Sequence, residues 1–209
     1  MGRHDLSLTG GIKAVPLTTG LYASTQVQTA FGWCSAADLR AGDLVMTLDD
    51  GLVPLNAVET GCHQALWSVR LPIQAAGNQV AVMLPPGQSV LIRTHFAMPF
   101  SGDDLALVPA TVLEGWHGIA PQVPALNEPV LQLRLSRPGI IFVGPGLLVG
   151  CSGSDHGGFR LKDLAHTPSR PVLPLAAGRQ MLAALVAQEA STGLKQFHAA
   201  DLCPPPNLS

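Results

Sequence analysis

Charged side chains are scarce in this chain. Only 12% of its 209 residues are Asp, Glu, Lys or Arg, whereas soluble domains average about 25%. With 12 Lys and Arg residues and a net charge of −2, binding to nucleic acid through phosphate contacts is not expected. Intrinsic disorder is excluded as well, because disordered chains have low hydrophobicity and high net charge, and 47% of this chain is hydrophobic.

Long apolar runs are also missing. A membrane-spanning helix needs about 18 consecutive apolar residues, and no stretch of the sequence offers them, so no membrane span is expected. Residues 1–15 carry Arg3, Asp5 and Lys13 without an apolar run between them, which does not fit an N-terminal secretion signal. We expect a cytoplasmic protein by default, although a secretion signal elsewhere in the chain would escape this test.

The cysteines follow no metal or disulfide pattern. Cys34, Cys62, Cys151 and Cys203 include no C-x-x-C pair, and their scatter does not resemble a disulfide framework. His63 follows Cys62, but the spacing from there to Cys151 fits no compact zinc site. Phosphate-binding glycine motifs between a strand and a helix are absent too. The sequence therefore predicts no metal and no cofactor.

Glycine and proline are abundant, and they separate short apolar runs. The 22 Gly and 18 Pro residues favour turns over long helices. Asp50-Gly51 stands between two apolar runs and is the strongest hairpin signal. Leu131, Leu133 and Leu135 alternate with polar residues, as in a half-buried strand. Strands are predicted over residues 27–29, 44–48, 52–58, 67–71, 79–84, 89–93, 105–108, 130–135 and 139–143.

The character of the sequence changes after residue 158. Prolines mark a linker, and the Ala-rich stretch 175–190 then predicts an amphipathic helix that ends at Gly193. The face that recurs every three or four residues comprises Leu175, Arg179, Met181, Leu182, Leu185 and Val186. We expect this face to pack on the preceding domain; a protein partner or self-association through the helix is the alternative.

The domain organisation follows from these patterns. The sequence predicts a β domain over residues 1–158, with its core at about 14–153. Residues 159–209 are predicted to form the linker, the helix and a Pro-rich tail, which contains Cys203-Pro-Pro-Pro and is expected to be extended or disordered.

Two blocks of sequence go beyond generic β structure. The first has the skeleton T-x-V-x-T-x-x-G from Thr25 to Gly32, followed by D-L-x-x-G-D-x-V-x-T-x-D-x-G from Asp38 to Gly51. The second comprises residues 79–92 and a later V-P-A-x-x-L stretch. Over roughly residues 14–153 the chain resembles Hint domains, the hedgehog/intein autoprocessing fold, and is most similar to their bacterial branch. The resemblance implies an all-β fold of short twisted strands.

The resemblance also implies where self-cleavage chemistry would lie. In Hint domains a Cys or Ser at the first residue attacks the preceding carbonyl, and a histidine of the middle segment protonates the scissile nitrogen. The matching positions in this sequence are Gly20 and Gln88. Glycine has no nucleophile, and glutamine transfers no proton near neutral pH. We therefore predict a Hint domain that has lost self-cleavage and serves as an interaction or structural module.

Two enzymatic hypotheses stand beside this prediction. In the first, Ser24 or Thr25 is a displaced nucleophile with His95 as the acid, and self-cleavage survives. In the second, the chain is an unrelated β-rich hydrolase that uses Cys151 or His156. Both of those residues fall in the stretch 150–158, whose glycines and serines are equally typical of a loop. The residues at Gly20 and Gln88 favour the non-enzymatic hypothesis.

Overall fold

Short strands joined by tight turns make up most of the molecule. The computed structural model describes residues 18–61, 67–124, 128–153 and 170–193. In these ranges the strands are β1 Leu21–Tyr22, β2 Gln26–Thr29, β3 Gly32–Ser35, β4 Leu44–Thr47, β5 Gly51–Gly61, β6 Ser68–Leu71, β7 Val82–Leu84, β8 Ser89–Arg93, β9 Leu105–Pro109, β10 Ala120–Gln122, β11 Val130–Leu135, β12 Gly139–Val143 and β13 Leu147–Gly153. The helices are α1 Met98–Ser101 and α2 Leu175–Thr192. The predicted all-β fold with a C-terminal helix is confirmed.

Most of these strands belong to one sheet. Its order is β1-β11-β5-β4-β2-β12-β13-β8-β9, with β3 paired to β2, and β10-β6-β7 form a second sheet. The predicted hairpin at Asp50-Gly51 joins β4 to β5, with Thr47 opposite Gly51. The ends of β11 and β13 pair in parallel, with Arg134 opposite Ser152. This pairing places β13 beside β11, which also pairs with β1.

Alternation along the strands positions the core. On β11, Leu131, Leu133 and Leu135 are buried, while Gln132 and Arg134 between them are only half-buried. This confirms the half-buried strand that the sequence predicts. Each aliphatic side chain that is fully buried contributes about 1.5–3 kcal/mol to stability.

The two central strands β12 and β13 are buried on both faces. Ile141 and Val149 belong to the main apolar cluster, and Phe142 and Leu148 belong to a smaller cluster on the opposite face. A loop over 150–158 is one of the interpretations that the sequence allows, and for its first four residues it is wrong, because β13 continues to Gly153. Pairing with β12 holds Gly150 and Cys151 in the strand. Residues 154–158 lie outside the described residues, as does the predicted domain boundary.

The C-terminal helix packs on the β domain with a face that overlaps the predicted one, since Met181, Leu182 and Leu185 are all buried. Leu175 and Val186 are exposed, whereas Gly178, Met181 and Leu185 are buried. The buried face also includes a glycine that the prediction left out: a Cβ on Gly178 would lie only 3.2 Å from the methyl groups of a buried valine, Val112. Neither helix of the described ranges is long and apolar enough to cross a membrane.

Candidate functional site

The structure places in contact the two positions that the resemblance to Hint domains singles out. Gly20 directly precedes β1, and Gln88 directly precedes β8. The backbone N–H of Gly20 donates a hydrogen bond of 2.9 Å to Oε1 of Gln88, across 68 residues of sequence. Both residues are buried. The pair therefore forms one buried contact between the entry of the domain and its middle segment.

Two carbonyl groups fix the orientation of the Gln88 side chain. Its Nε2 donates to the carbonyl oxygens of Gly150 at 2.7 Å and Ser89 at 3.2 Å. A carbonyl oxygen only accepts, so the amide nitrogen must face these two groups and Oε1 must face Gly20. Gln88 is 5% exposed, and a flipped amide would leave buried polar groups unsatisfied. The side chain is therefore held in one orientation.

The peptide bond that precedes Gly20 is held on both of its sides. Its N–H binds Gln88, and its carbonyl oxygen, which belongs to Thr19, accepts a hydrogen bond of 2.5 Å from Nε2 of Gln132 on β11. The same nitrogen lies 3.2 Å from Oγ1 of Thr19. Two glutamine side chains thus bind the carbonyl and the N–H of a single peptide bond.

No side chain fits at position 20 with the backbone as it stands. Gly20 has a φ of +112°, a conformation that costs little only for glycine. A Cβ there would lie 2.6 Å from the carbonyl oxygen of Leu131 and 2.8 Å from Cγ1 of Val130. A nucleophilic side chain at this position would therefore require the strand β11 or the entry segment to move.

These groups line a cleft of about 830 Å³. Its walls include residues 19–21, residues 87–89, the ends of β11 and β13, and residues 170–172. Two ion pairs lie on the walls: Arg137 binds Asp50 at 2.6 Å, and Arg170 binds Asp103. Both of these arginines are neutralised locally, so they give the cleft no strong attraction for anions.

Cys151 also lines the cleft, but as a buried thiol. It is 7% exposed, and its Sγ donates to the carbonyl oxygen of Leu133 at 3.2 Å. Burial raises the pKa of Cys151 to about 12. The thiolate is the nucleophilic form of cysteine, so this thiol is a poor nucleophile near neutral pH as long as it stays buried. The other residue of the hydrolase hypothesis, His156, lies outside the described residues.

The residues of the displaced-nucleophile hypothesis are not among those that line the cleft. Ser24 is exposed and donates a hydrogen bond of 2.5 Å to Glu128. Thr25 is buried in the turn before β2. His95 is exposed in a 3₁₀ turn, with its ring 4.0 Å from that of Phe96. The cleft therefore does not bring these three residues together.

Metal ligands show no cluster in the part of the chain that the structure describes. No group of three or more His, Cys, Asp or Glu side chains there is arranged to hold a metal ion. The zinc-competent pair Cys62 and His63 lies outside these residues, so the geometry of that pair is not described.

Gln132 is the residue of the site that sequence reasoning missed. The sequence marks it only as a polar position in an alternating strand. Its contact with Thr19 depends on the register between β1 and β11, in which Leu21 lies opposite Leu131. No local pattern carries that register, because the paired strands are more than one hundred residues apart. The resemblance to Hint domains extends over β11, but it indicates no role for Gln132.

Comparison with known proteins places the chain in a family. A family model described as "Hint domain" matches residues 19–145, more than half of the chain. Among solved structures, the MchDnaB-1 intein is 14% identical with a TM-score of 0.38, and the match covers 63% of this chain and 99% of that one. The gp41-1 intein is 15% identical with a TM-score of 0.41, covering 63% and 98%. No curated protein matches the sequence.

The family match includes the entry segment, the middle segment and β11. Gly20, Gln88 and Gln132 all lie inside it, whereas Cys151 and the helix α2 lie beyond its last residue. The extent of this match establishes the membership: the chain belongs to the Hint domain family.

Proposed function

We propose that this Hint domain does not cleave itself and serves as an interaction or structural module, with the peptide bond before Gly20 kept intact. The observation that carries the proposal is the direction of the hydrogen bond between Gly20 and Gln88. Self-cleavage needs an acid that delivers a proton to the nitrogen of this peptide bond. Here the nitrogen donates and Oε1 of Gln88 accepts, so Gln88 supplies no proton to it.

The lack of a nucleophile supports the same proposal. Attack on the carbonyl of Thr19 needs a nucleophilic atom about 3–3.5 Å from its carbon. Gly20 has no side chain, and its Cβ position is filled by the backbone of Leu131. Cys151 is a thiol that donates to Leu133. The hydrogen bond from Gln132 to Thr19 then stabilises the uncleaved peptide, which speeds no reaction by itself.

Intact mass of the purified protein tests the proposal directly. The protein is incubated for days with and without a thiol or hydroxylamine, both of which capture a thioester or ester intermediate. We expect a single species at the full 21.8 kDa throughout. A fragment whose new terminus lies near residues 20–25 would show that processing survives. Ser24→Ala, Thr25→Ala and His95→Ala would then identify the displaced groups.

The variant Gln88→His is the matched control. It restores a proton donor at the position where the family has its histidine, but it supplies no nucleophile. We expect this variant to stay intact under the same conditions. Cleavage in Gln88→His would mean that a nucleophile is present and that only the acid is missing, which contradicts the proposal.

A further inference from the structure

The C-terminal segment 170–193, here called the strap, forms part of the wall of the cleft. It consists of an extended stretch, residues 170–174, and the helix α2. Arg170, Pro171 and Val172 lie on the cleft together with Gly20 and Gln88. The strap lies beyond the last residue of the Hint family match. It is therefore an addition to the matched domain that reaches the candidate site.

The first attachment of the strap is to the edge of the large sheet. Strand β9 ends the strand order, and Val172 forms a parallel bridge with Leu107 on that strand. The N–H of Leu173 donates to the carbonyl oxygen of Leu107 at 2.8 Å. Arg170 binds Asp103 just before β9. The strap thus adds backbone pairing to the last strand of the sheet, in the manner of β-augmentation.

The second attachment is apolar. Met181 and Leu185 of α2 are 0% and 1% exposed, and Gly178 allows the helix to approach Val112 closely. Side chains of this size contribute about 1.5–3 kcal/mol each when fully buried. The helix is therefore docked along one narrow face, and the residue next to Leu185, Val186, is 42% exposed.

The third attachment is a polar anchor near the end of α2. Oε2 of Glu189 accepts hydrogen bonds from Nε1 of Trp116 at 3.0 Å and from Nε2 of His117 at 3.1 Å. The imidazole of His117 is fixed at its other side, where Nδ1 lies 2.9 Å from the carbonyl oxygen of Ala75. The side chains of His117 and Glu189 are 9% and 11% exposed. One carboxylate thus ties the helix to the β domain.

We propose that the strap is a docked lid that controls access to the cleft at Gly20 and Gln88, and that it is released while the Hint core stays folded. The strands of the core pair with one another without the strap, and its buried contribution to the main apolar cluster comes from Leu173, Met181, Leu182 and Leu185. Segments of this kind open locally at lower free energy than the whole domain. The proposal rests on the proposed function only in taking this cleft as the functional site.

The variant Leu185→Ala, compared with Val186→Ala, tests the proposal in the full-length protein. The alkylation rates of two native thiols measure access: Cys151 lines the cleft, and Cys34 on β3 serves as the internal reference. Alkylation by iodoacetamide is followed for each cysteine by peptide mass spectrometry, and hydrogen exchange is followed at the amide of Leu173. We expect Leu185→Ala to speed Cys151 alkylation about tenfold, which corresponds to about 1.4 kcal/mol of docking free energy. Val186→Ala should leave it unchanged.

The pattern of the reporters decides between outcomes. Faster exchange at Leu173 with faster alkylation of Cys151 and unchanged Cys34 supports the lid. Faster exchange at Leu173 with unchanged Cys151 means that the strap leaves without opening the cleft, which overturns the proposal. If the alkylation rate of Cys34 rises in parallel with that of Cys151 in both Leu185→Ala and Glu189→Ala, the variants unfold globally, and this outcome overturns the proposal too. Self-cleavage is read separately, as a fragment in the same mass spectra.

Discussion

Nε2 of Gln88 lies 2.7 Å from the carbonyl oxygen of Gly150, so one side chain reaches from the start of β8 to the middle of β13. The two strands pair at Val90 and Val149, and the glutamine amide extends that pairing towards Gly20. A buried donor and a buried acceptor therefore depend on the same carboxamide. Its replacement by a carboxyl group separates the two roles.

The variant Gln88→Glu is expected to be destabilised at neutral pH and to recover in acid. The carboxylate still accepts from Gly20, but its second oxygen faces the carbonyl oxygens of Gly150 and Ser89 without a proton to donate. The cost is about 3 kcal/mol of unfolding free energy at neutral pH. Protonation supplies the missing donor, so the folded state raises the pKa of this glutamic acid, and stability is regained as the pH falls through that value.

Urea denaturation at neutral and at mildly acidic pH measures this effect. The control is Gln26→Glu, an exposed glutamine at the start of β2, whose stability should change by less than about 0.5 kcal/mol. Equal pH dependence in the two variants would show that the Gln88 amide does not face the two carbonyl groups in solution.

The variant Gly20→Ala is expected to lose more stability than Gly42→Ala. Both glycines have a positive φ, +112° and +98°, which costs an alanine about 1–3 kcal/mol. A Cβ at Gly42 meets nothing within 4 Å, whereas one at Gly20 lies 2.6 Å from the carbonyl oxygen of Leu131. The difference in unfolding free energy between the two variants, measured in urea, isolates the collision. Equal losses would show that the entry segment moves aside without cost.

Local sequence patterns predicted the hairpins, but they did not predict contacts between residues that are far apart in the sequence. The Asp50-Gly51 turn and the alternation of β11 are both patterns of neighbouring residues, so β4, β5 and β11 could be predicted. The resemblance pointed to Gly20 and Gln88, and the structure places them in contact; the loss of self-cleavage at these positions stays a prediction. The contact of Gln132 with Thr19 depends on the register between two strands that are far apart in the sequence, and no local pattern contains that register.

The helix shows a second kind of limit. Hydrophobic spacing correctly placed Met181, Leu182 and Leu185 on the packed face. It also placed Leu175 and Val186 there, which are exposed, and it missed the buried Gly178. Periodicity ranks residues by apolar surface, and a glycine has none. Close approach of backbone to Val112 decided the orientation here, and only the tertiary structure shows that surface.

The fall in unfolding free energy at alkaline pH is expected to depend on ionisation of the Cys151 thiol. Burial raises the pKa of its thiol from 9.0 to about 12, so the unfolded chain ionises this thiol first. The stabilisation is complete below pH 9.0 and is lost as the pH rises towards 12, at about 1.4 kcal/mol per pH unit. Between pH 9 and about pH 11 the unfolding free energy of Cys151→Ala should therefore fall by about 2–3 kcal/mol less than that of the wild type.

A buried neighbour without a titrating group provides the comparison for Cys151. Val149→Ala on the same strand creates a cavity, so it should lower the unfolding free energy by the same amount at both pH values. If the alkaline fall of Cys151→Ala matches that of Val149→Ala, the thiol is not the group that titrates.

The carboxyl group of Asp103 is expected to report whether the strap is docked. The hydrogen bond from Arg170 is the main cause that lowers the pKa of Asp103 below its usual value of 3.8, and hydrogen bonding from Asp104 adds to it. The ion pair therefore contributes stability above the usual pKa and loses it as the pH falls through the lowered one. In Arg170→Ala the pKa of Asp103 should rise towards 3.8, as measured by NMR titration of its carboxyl carbon. Arg93→Ala, which removes the partner of Asp104, should shift it less. An unchanged pKa in Arg170→Ala would mean that the upstream end of the strap is not held at β9 in solution.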